Sequence, residues 1–153
     1  MTEVLNARSA PAGYHRAPAS PVLVLGEKWI PREERCVASA RRFVRDAAAD
    51  WNTAQEVPEI AELLVSELVT NALTHGAAAV PTASTIHVTV SREGKLMAVD
   101  VHDSCTAPPR LRRTGYLESS GRGLQLVRDL SHDWGWTRKP HGKSVWFQLV
   151  AWP

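Results

Sequence analysis

Residues 59–76, EIAELLVSELVTNALTHG, are the part of this chain that most constrains its fold. At about 100° per residue the segment has the period of an α-helix with one apolar and one polar face. The apolar face carries Ala61, Val65, Leu68 and Ala72, and the opposite face carries Glu59, Ser66 and Thr70. We therefore expect a helix that opens near Pro58, ends at Gly76 and packs one side against a core.

Three polar residues of this helix lie on neither face. Glu67, Asn71 and His75 are spaced four residues apart, so they form a polar stripe along the flank. One interpretation is ordinary helix-surface chemistry, with a solvated Glu67 and an Asn71 that bonds to nearby backbone. The other is a nucleotide site, in which the Asn71 amide oxygen binds Mg²⁺ and Glu67 deprotonates an attacking hydroxyl or water. The stripe alone leaves both open.

The bulk composition favours one compact globular domain. The chain has 153 residues, 44% of them hydrophobic and 22% charged. A net charge of +2 is too weak to indicate nucleic-acid binding, so we expect no direct nucleic-acid partner. Cys36 and Cys105 lie far apart without a second ligand pair, which argues against a zinc site or a disulfide framework. We interpret both as free thiols in a reducing cytoplasm.

The chain divides into an arm and a domain. Residues 1–21 combine Ala, Pro, Ser and Arg without periodicity, so we expect a flexible N-terminal arm. We expect residues 22–153 to form the domain. No apolar run approaches the roughly 18 residues of a membrane span, so we expect no membrane partner.

The order of elements within the domain predicts an α+β fold. Two hairpins of alternating residues are separated by a long loop and a helix, and two helices precede them, which favours helices packed on one face of a sheet. The expected elements are an edge strand at 22–25 ended by Gly26, helices at 32–51 and 58–76, a hairpin of 85–91 and 95–102, a lid at 104–120, a helix after Gly121, and a hairpin of 134–138 and 143–150.

Two further features suit a nucleotide, each with an ordinary alternative. Asp103 ends a strand and opens the lid, where a carboxylate could accept a hydrogen bond from an exocyclic amine such as that of adenine, although Asp is also a common turn-former. Gly121 and Gly123 at a helix start allow phosphate to approach the backbone, or they are a flexible connection. Leu126 stands where a dinucleotide fingerprint would have its third glycine.

Read jointly, four ordered elements carry a family resemblance. ELVTNALTHG, a strand ending in Asp103 before a long lid, SGRGL opening a helix and GKSVWF on the last strand resemble the histidine-kinase-like ATPase superfamily, which includes gyrase B and heat-shock chaperone domains. In its small size and its GKSVWF strand the chain is similar to the bacterial anti-sigma-factor serine/threonine kinases. The resemblance runs from about residue 22 to the end. It implies a two-layer α/β sandwich with a mixed, mostly antiparallel sheet and helices on one face.

The resemblance also implies a role for each site residue, with ATP and Mg²⁺ as cofactors. Glu67 would be the general base, Asn71 the Mg²⁺ ligand and Asp103 the adenine-binding aspartate. Ser144 would supply a hydroxyl that supports the adenine site. The remaining nucleotide contacts would come from the glycine loop, at Gly121, Arg122, Gly123 and Leu124.

The function implied is that of an ATP-binding regulatory protein. It would phosphorylate a serine or threonine of an antagonist protein and sequester a sigma factor. Two departures motivate an alternative, a catalytically weak ATP-binding module for protein interaction: residues 103–107, DSCTA, hold no glycine, and Ser119 replaces an arginine common in kinase-type members. The oligomeric state is left open, with a homodimer among the alternatives.

Overall fold

The fold is an α+β sandwich with three helices and five strands in the described parts of the chain. A computed structural model describes residues 21–76, 84–104 and 123–153. In chain order the elements are β1 (Val22–Pro31), α1 (Val37–Asp50), α2 (Val57–Gly76), β2 (Thr85–Glu93), β3 (Leu96–Asp103), α3 (Gly123–Leu130), β4 (Asp133–Lys139) and β5 (Gly142–Val150).

The strands form one sheet in the order β1-β2-β3-β5-β4. Every described pair is antiparallel, so the sheet is uniform where the sequence led us to expect a mixed one. The two hairpins predicted from alternation are β2–β3 and β4–β5. The second hairpin adds to the sheet through β5, which pairs with β3 and places β4 at the edge. This order places the end of β3 beside the start of β5.

The first strand is longer than the sequence predicted. It continues through Gly26 to Pro31 and pairs with β2 along its length, with a register shift between Val24 and Gly26. Gly26 therefore sits at a bulge rather than at a strand end, because pairing with β2 outweighs the local tendency of glycine to end a strand. The helix expected from residue 32 begins instead as a short 3₁₀ turn, Glu34–Cys36, that leads into α1.

The core lies between the helices and one face of the sheet. Alternate strand residues such as Val88, Val99 and Phe147 are fully buried and pack with the apolar sides of α1 and α2. α2 packs against α1, β3, β5 and α3, which makes it the central helix of its layer. No described helix is both long and apolar enough to cross a membrane. The two-layer arrangement predicted from the sequence is confirmed.

Several predictions concern residues that the structure does not describe. They are the N-terminal arm up to residue 20, the loop at 77–83, the lid from Cys105 to residue 120, Gly121 and Arg122. For His75 the backbone is described as helical and the side chain is not.

Candidate functional site

Asn71 and Asp103 line the same cavity between the helix layer and the sheet. Asn71 comes from α2 and is partly exposed, whereas Asp103 is the last residue of β3. Lys143 at the start of β5 is the third polar residue of the cavity, and its apolar walls are Leu68, Ala72, Val101 and Val145. The described walls approach closely enough to leave no space for a water molecule.

The carboxylate of Asp103 is buried and paired with lysine. Side chains alternate along β3, so Asp103 points to the same face as Val99 and Val101 and is 1% exposed. In the β3–β5 register Asp103 lies directly opposite Lys143. The Lys143 ammonium lies 3.3 Å from Oδ2 and 3.4 Å from Oδ1 of Asp103. The pair therefore spans the two strand ends as an ion pair shielded from water.

A second cation, Arg32, also lies close to the carboxylate of Asp103. Its Nη2 lies 3.7 Å from Asp103 Oδ1. Its Nη1 donates a hydrogen bond of 2.8 Å to the carbonyl of Ala72, and its Nε donates one of 3.0 Å to Ser84 Oγ. One side chain, 5% exposed, thus joins the last turns of α2, the segment before β2 and the end of β3. Its planar array of donors suits this role.

Gly142 allows the two strand ends to meet. Its φ is +146°, a conformation that residues with a side chain rarely adopt. A Cβ atom at Gly142 would lie 1.9 Å from the carbonyl oxygen of Asp103. The close approach that brings Lys143 to Asp103 therefore requires glycine.

Glu67 lies one turn before Asn71 on α2. It is partly buried, and this burial raises the pKa of its carboxyl group from the ordinary value of 4.5. The described lining of the Asp103 cavity does not include Glu67. The stripe predicted from the sequence is thus divided, with Asn71 at the cavity and Glu67 outside its described lining.

Ser144 lies on the opposite face of the sheet from Asp103. In the register of β5 it pairs with His102, and it borders an outer groove of about 490 Å³ that also contains Trp29 and His87. Trp29 and His87 stack there with ring centroids 3.7 Å apart. The structure therefore does not bring the Ser144 hydroxyl to Asp103. Because side chains alternate along a strand, the residue beside Asp103 is Lys143.

The glycine loop is described only where it meets α3. Gly123 is the first residue of α3, and Leu124 follows it with its side chain 2% exposed in the hydrophobic core together with Val127. Leu124 therefore anchors the start of α3 through apolar packing. Gly121 and Arg122 lie outside the described residues, so their placement stays a prediction.

Sequence reasoning missed three residues of this site: Arg32, Gly142 and Lys143. A signal existed for Lys143, because it shares the β5 face of Val145 and Phe147, where a lysine is rare unless it is paired. Arg32 had no comparable signal, since its contacts reach 40 and 52 residues along the chain.

The model of the histidine kinase-like ATPase domain matches residues 30–149. Comparison with curated proteins gives no significant match.

Two solved structures are similar to this chain. One contains the RsbU and RsbW domains of Rv1364c from Mycobacterium tuberculosis, with a TM-score of 0.63, 16% identity, and coverage of 86% of this chain and 33% of that one. The other is the histidine kinase domain from the Erythrobacter litoralis EL346 blue-light activated histidine kinase, with a TM-score of 0.49, 21% identity, and coverage of 74% and 60%. The chain thus spans about a third of the first of these proteins.

The similarity to the first structure supports the fold alone. The family match covers most of the chain, including α2, Asp103 and the β5 strand. The chain belongs to the family of histidine kinase-like ATPase domains.

Proposed function

We propose that this protein binds ATP·Mg²⁺ in the cavity between α2, the end of β3 and the start of β5. It transfers the γ-phosphoryl group to a serine or threonine of an antagonist protein and sequesters a sigma factor. The observation that carries this proposal is the meeting of Asn71 and Asp103 at one cavity in a member of an ATPase family. An amide from the helix and a buried carboxylate from the sheet are suited to opposite ends of one nucleotide.

The two ends differ in chemistry. Asp103 accepts hydrogen bonds and is enclosed by apolar walls, which suits the exocyclic amine of a flat base. Asn71 offers an amide oxygen, a hard ligand that suits Mg²⁺. Gly121, Arg122, Gly123 and Leu124 would serve the phosphates, with Leu124 acting through its backbone amide because its side chain is in the core.

Magnesium would depend on the nucleotide for most of its ligands. Among the described residues no group of three or more His, Cys, Asp or Glu side chains is arranged to hold a metal ion. Mg²⁺ in nucleotide sites is commonly bound by one or two protein groups together with phosphate oxygens and water. A single ligand at Asn71 fits that pattern. The bound ion would neutralise charge on the phosphate oxygens.

Glu67 is the residue proposed as general base. It would accept the proton of the attacking hydroxyl as the new P–O bond forms and the bond between the γ-phosphorus and the bridging oxygen breaks, with ADP as the leaving group. Burial raises the pKa of Glu67, which makes its carboxylate a stronger base than an exposed one. Its place one turn from Asn71 supports a position near the phosphates.

Calorimetry tests nucleotide binding. We expect ATP with Mg²⁺ to release heat on binding and ADP to compete. Asn71→Ala should weaken binding of ATP·Mg²⁺ about tenfold or more, because it removes an oxygen ligand from a charged site. Thr74→Ala, an exposed change on the same helix, is the matched control and should bind normally. Absence of heat with ATP, and of ADP competition, would rule out this function.

Phosphoryl transfer requires a separate assay. Full-length protein is incubated with ATP labelled at the γ-phosphate and with candidate antagonist proteins that carry an acceptor serine or threonine. Glu67→Gln should abolish transfer and leave ATP binding intact. Co-purification with candidate sigma factors tests sequestration.

The second candidate function is a catalytically weak ATP-binding module that acts by protein interaction. The features in its favour are that residues 103–107, DSCTA, hold no glycine and that Ser119 stands where kinase-type members often carry an arginine. This candidate predicts ATP binding without transfer to any antagonist. Steady accumulation of labelled antagonist would eliminate it.

A further inference from the structure

Lys143 is an unusual residue for the wall of an apolar cavity. Its side chain is 3% exposed, and lysine is almost never this buried unless it is paired. Moving an ammonium group out of water is costly, and the attraction within an ion pair such as that with Asp103 often does little more than offset this cost. Replacing both members of such a pair by apolar residues is often neutral or stabilising, whereas removing Lys143 alone would leave the buried carboxylate of Asp103 with one cation fewer. Burial of the pair is therefore weak evidence for a purely structural role, and a role toward a ligand is the alternative.

The pair offers a ligand two different groups side by side. A carboxylate only accepts hydrogen bonds and an ammonium only donates them. The nitrogen of Lys143 lies 3.3 Å and 3.4 Å from the two carboxylate oxygens of Asp103, so an acceptor and a donor are adjacent at the cavity. Adenine has the complementary edge, because its exocyclic amine donates and the ring nitrogens that flank it accept.

We propose that Lys143 is a base-reading residue that donates a hydrogen bond to the adenine ring nitrogen next to the amine bound by Asp103. Recognition of the base then has two points, one from β3 and one from β5. This inference rests on the proposed ATP function and adds a specificity determinant to it.

Lys143 suits this role better than Arg32, the other cation beside Asp103. Arg32 is fixed by its hydrogen bonds to the Ala72 carbonyl and to Ser84 Oγ, and it is not among the described residues that line the cavity. Lys143 lines the cavity and carries its charge on a flexible stem with three donors. Arg32 fixes the carboxylate, and Lys143 contacts the ligand.

The ring nitrogen can be identified by removing it from the nucleotide. Full-length protein is titrated calorimetrically, in the presence of Mg²⁺, with ATP, with 1-deaza-ATP and with 7-deaza-ATP. Each analogue replaces one flanking ring nitrogen with C–H and keeps the amine. A hydrogen bond from a charged donor is large enough that its loss should weaken one analogue about tenfold or more relative to ATP. The weaker analogue names the nitrogen that Lys143 reads.

The variant Lys143→Met tests whether the lysine is responsible. It should bind ATP about tenfold more weakly than the wild type and should no longer distinguish ATP from the analogue. Lys139→Met, in a lysine that borders the outer groove, is the matched control and should keep the wild-type preference. A merely structural ion pair would lower affinity for all three nucleotides alike, so the preference between them separates the two roles.

The outcomes distinguish this inference from the function on which it rests. Wild-type protein that binds no ATP overturns the proposed function and this inference with it. Wild-type protein that binds ATP and both analogues equally overturns the inference alone, without need of any variant that might not fold. A Lys143→Met protein that retains the preference also overturns it.

Discussion

The backbone of Gly142 lies directly against the carbonyl of Asp103, with only 1.9 Å between that oxygen and the place a Cβ atom would take. Gly142, at the end of the turn between β4 and β5, is thus packed on the last residue of β3, whereas Pro140 and His141 in the same turn are exposed. This contact brings the start of β5 to the candidate site. Lys143 follows Gly142 in sequence, so the position of its ammonium depends on the glycine.

Replacement of Gly142 by alanine should destabilise the protein by about 3 kcal/mol, since it combines a backbone clash with a φ of +146°. For a chain of this size that corresponds to a fall in Tm of roughly 6–12 °C. Thermal unfolding followed by circular dichroism measures the change.

Gly94→Ala is the control for this substitution. Gly94 has a φ of +62° in the β2–β3 turn, where alanine costs only about 1–2 kcal/mol. If both variants lost the same stability, the contact between Gly142 and Asp103 would not matter beyond the backbone conformation.

Arg32→Ala should destabilise the protein by about 3 kcal/mol, because it removes two hydrogen bonds and leaves Asp103 with one of its two cations. Arg32→Lys should recover little, since an ammonium cannot reproduce the planar array of donors. Urea unfolding with a constant m-value gives the free-energy difference.

A comparison of Arg32→Ala with Arg35→Ala shows whether burial of the arginine determines how much stability is lost. Arg35 forms a shorter ion pair, 2.6 Å from Glu33, but its side chain is 83% exposed. Exposed pairs contribute less than about 1 kcal/mol. Equal losses in the two variants would contradict a special role for the buried Arg32.

Much of the fold could be predicted from local patterns. The alternation of Ile86, Val88 and Val90 with polar residues identified a strand, and the helical period of residues 59–76 identified α2, because each pattern spans a whole element. β1 was predicted only as far as Gly26. The rest of that strand depends on pairing with β2, about 60 residues further along the chain, which a local pattern does not encode.

The site could be predicted only in part for a related reason. Asn71 and Asp103 were identified individually, and the structure brings them to one cavity. The choice between Lys143 and Ser144 depends on which face of β5 meets Asp103. That choice requires the β3–β5 register, since a shift of one residue would exchange the two faces.

Glu67 should make folding stability depend on pH in the acid range. Burial raises its pKa above 4.5, so the folded state holds the proton to higher pH than the unfolded state does. Protonation of Glu67 therefore favours the folded state. This contribution to stability is fully present below pH 4.5 and is lost as the pH rises through the pKa of Glu67 in the folded state. Glu67→Gln, which stays neutral, should be more stable than the wild type at neutral pH and lose this advantage in acid.

Chemical unfolding of both proteins across this range measures the effect. The difference between them, rather than either curve alone, reports on Glu67, because other carboxylates titrate in both. A Gln variant that is less stable than the wild type at neutral pH would contradict a pKa raised by burial.

His102 should give folding stability the opposite dependence on pH from Glu67, and at higher pH. Burial lowers the pKa of its imidazole from 6.5, and although Asp103 opposes this, the neighbouring His87, Lys139 and Lys143 side chains add to it. The unfolded state therefore takes up a proton that the folded state does not, and stability falls as pH drops below 6.5. His102→Gln should lose less stability than the wild type between about pH 7 and about pH 5. His132→Gln, at an exposed histidine, should keep the wild-type slope, and parallel curves for His102→Gln and the wild type would contradict this assignment.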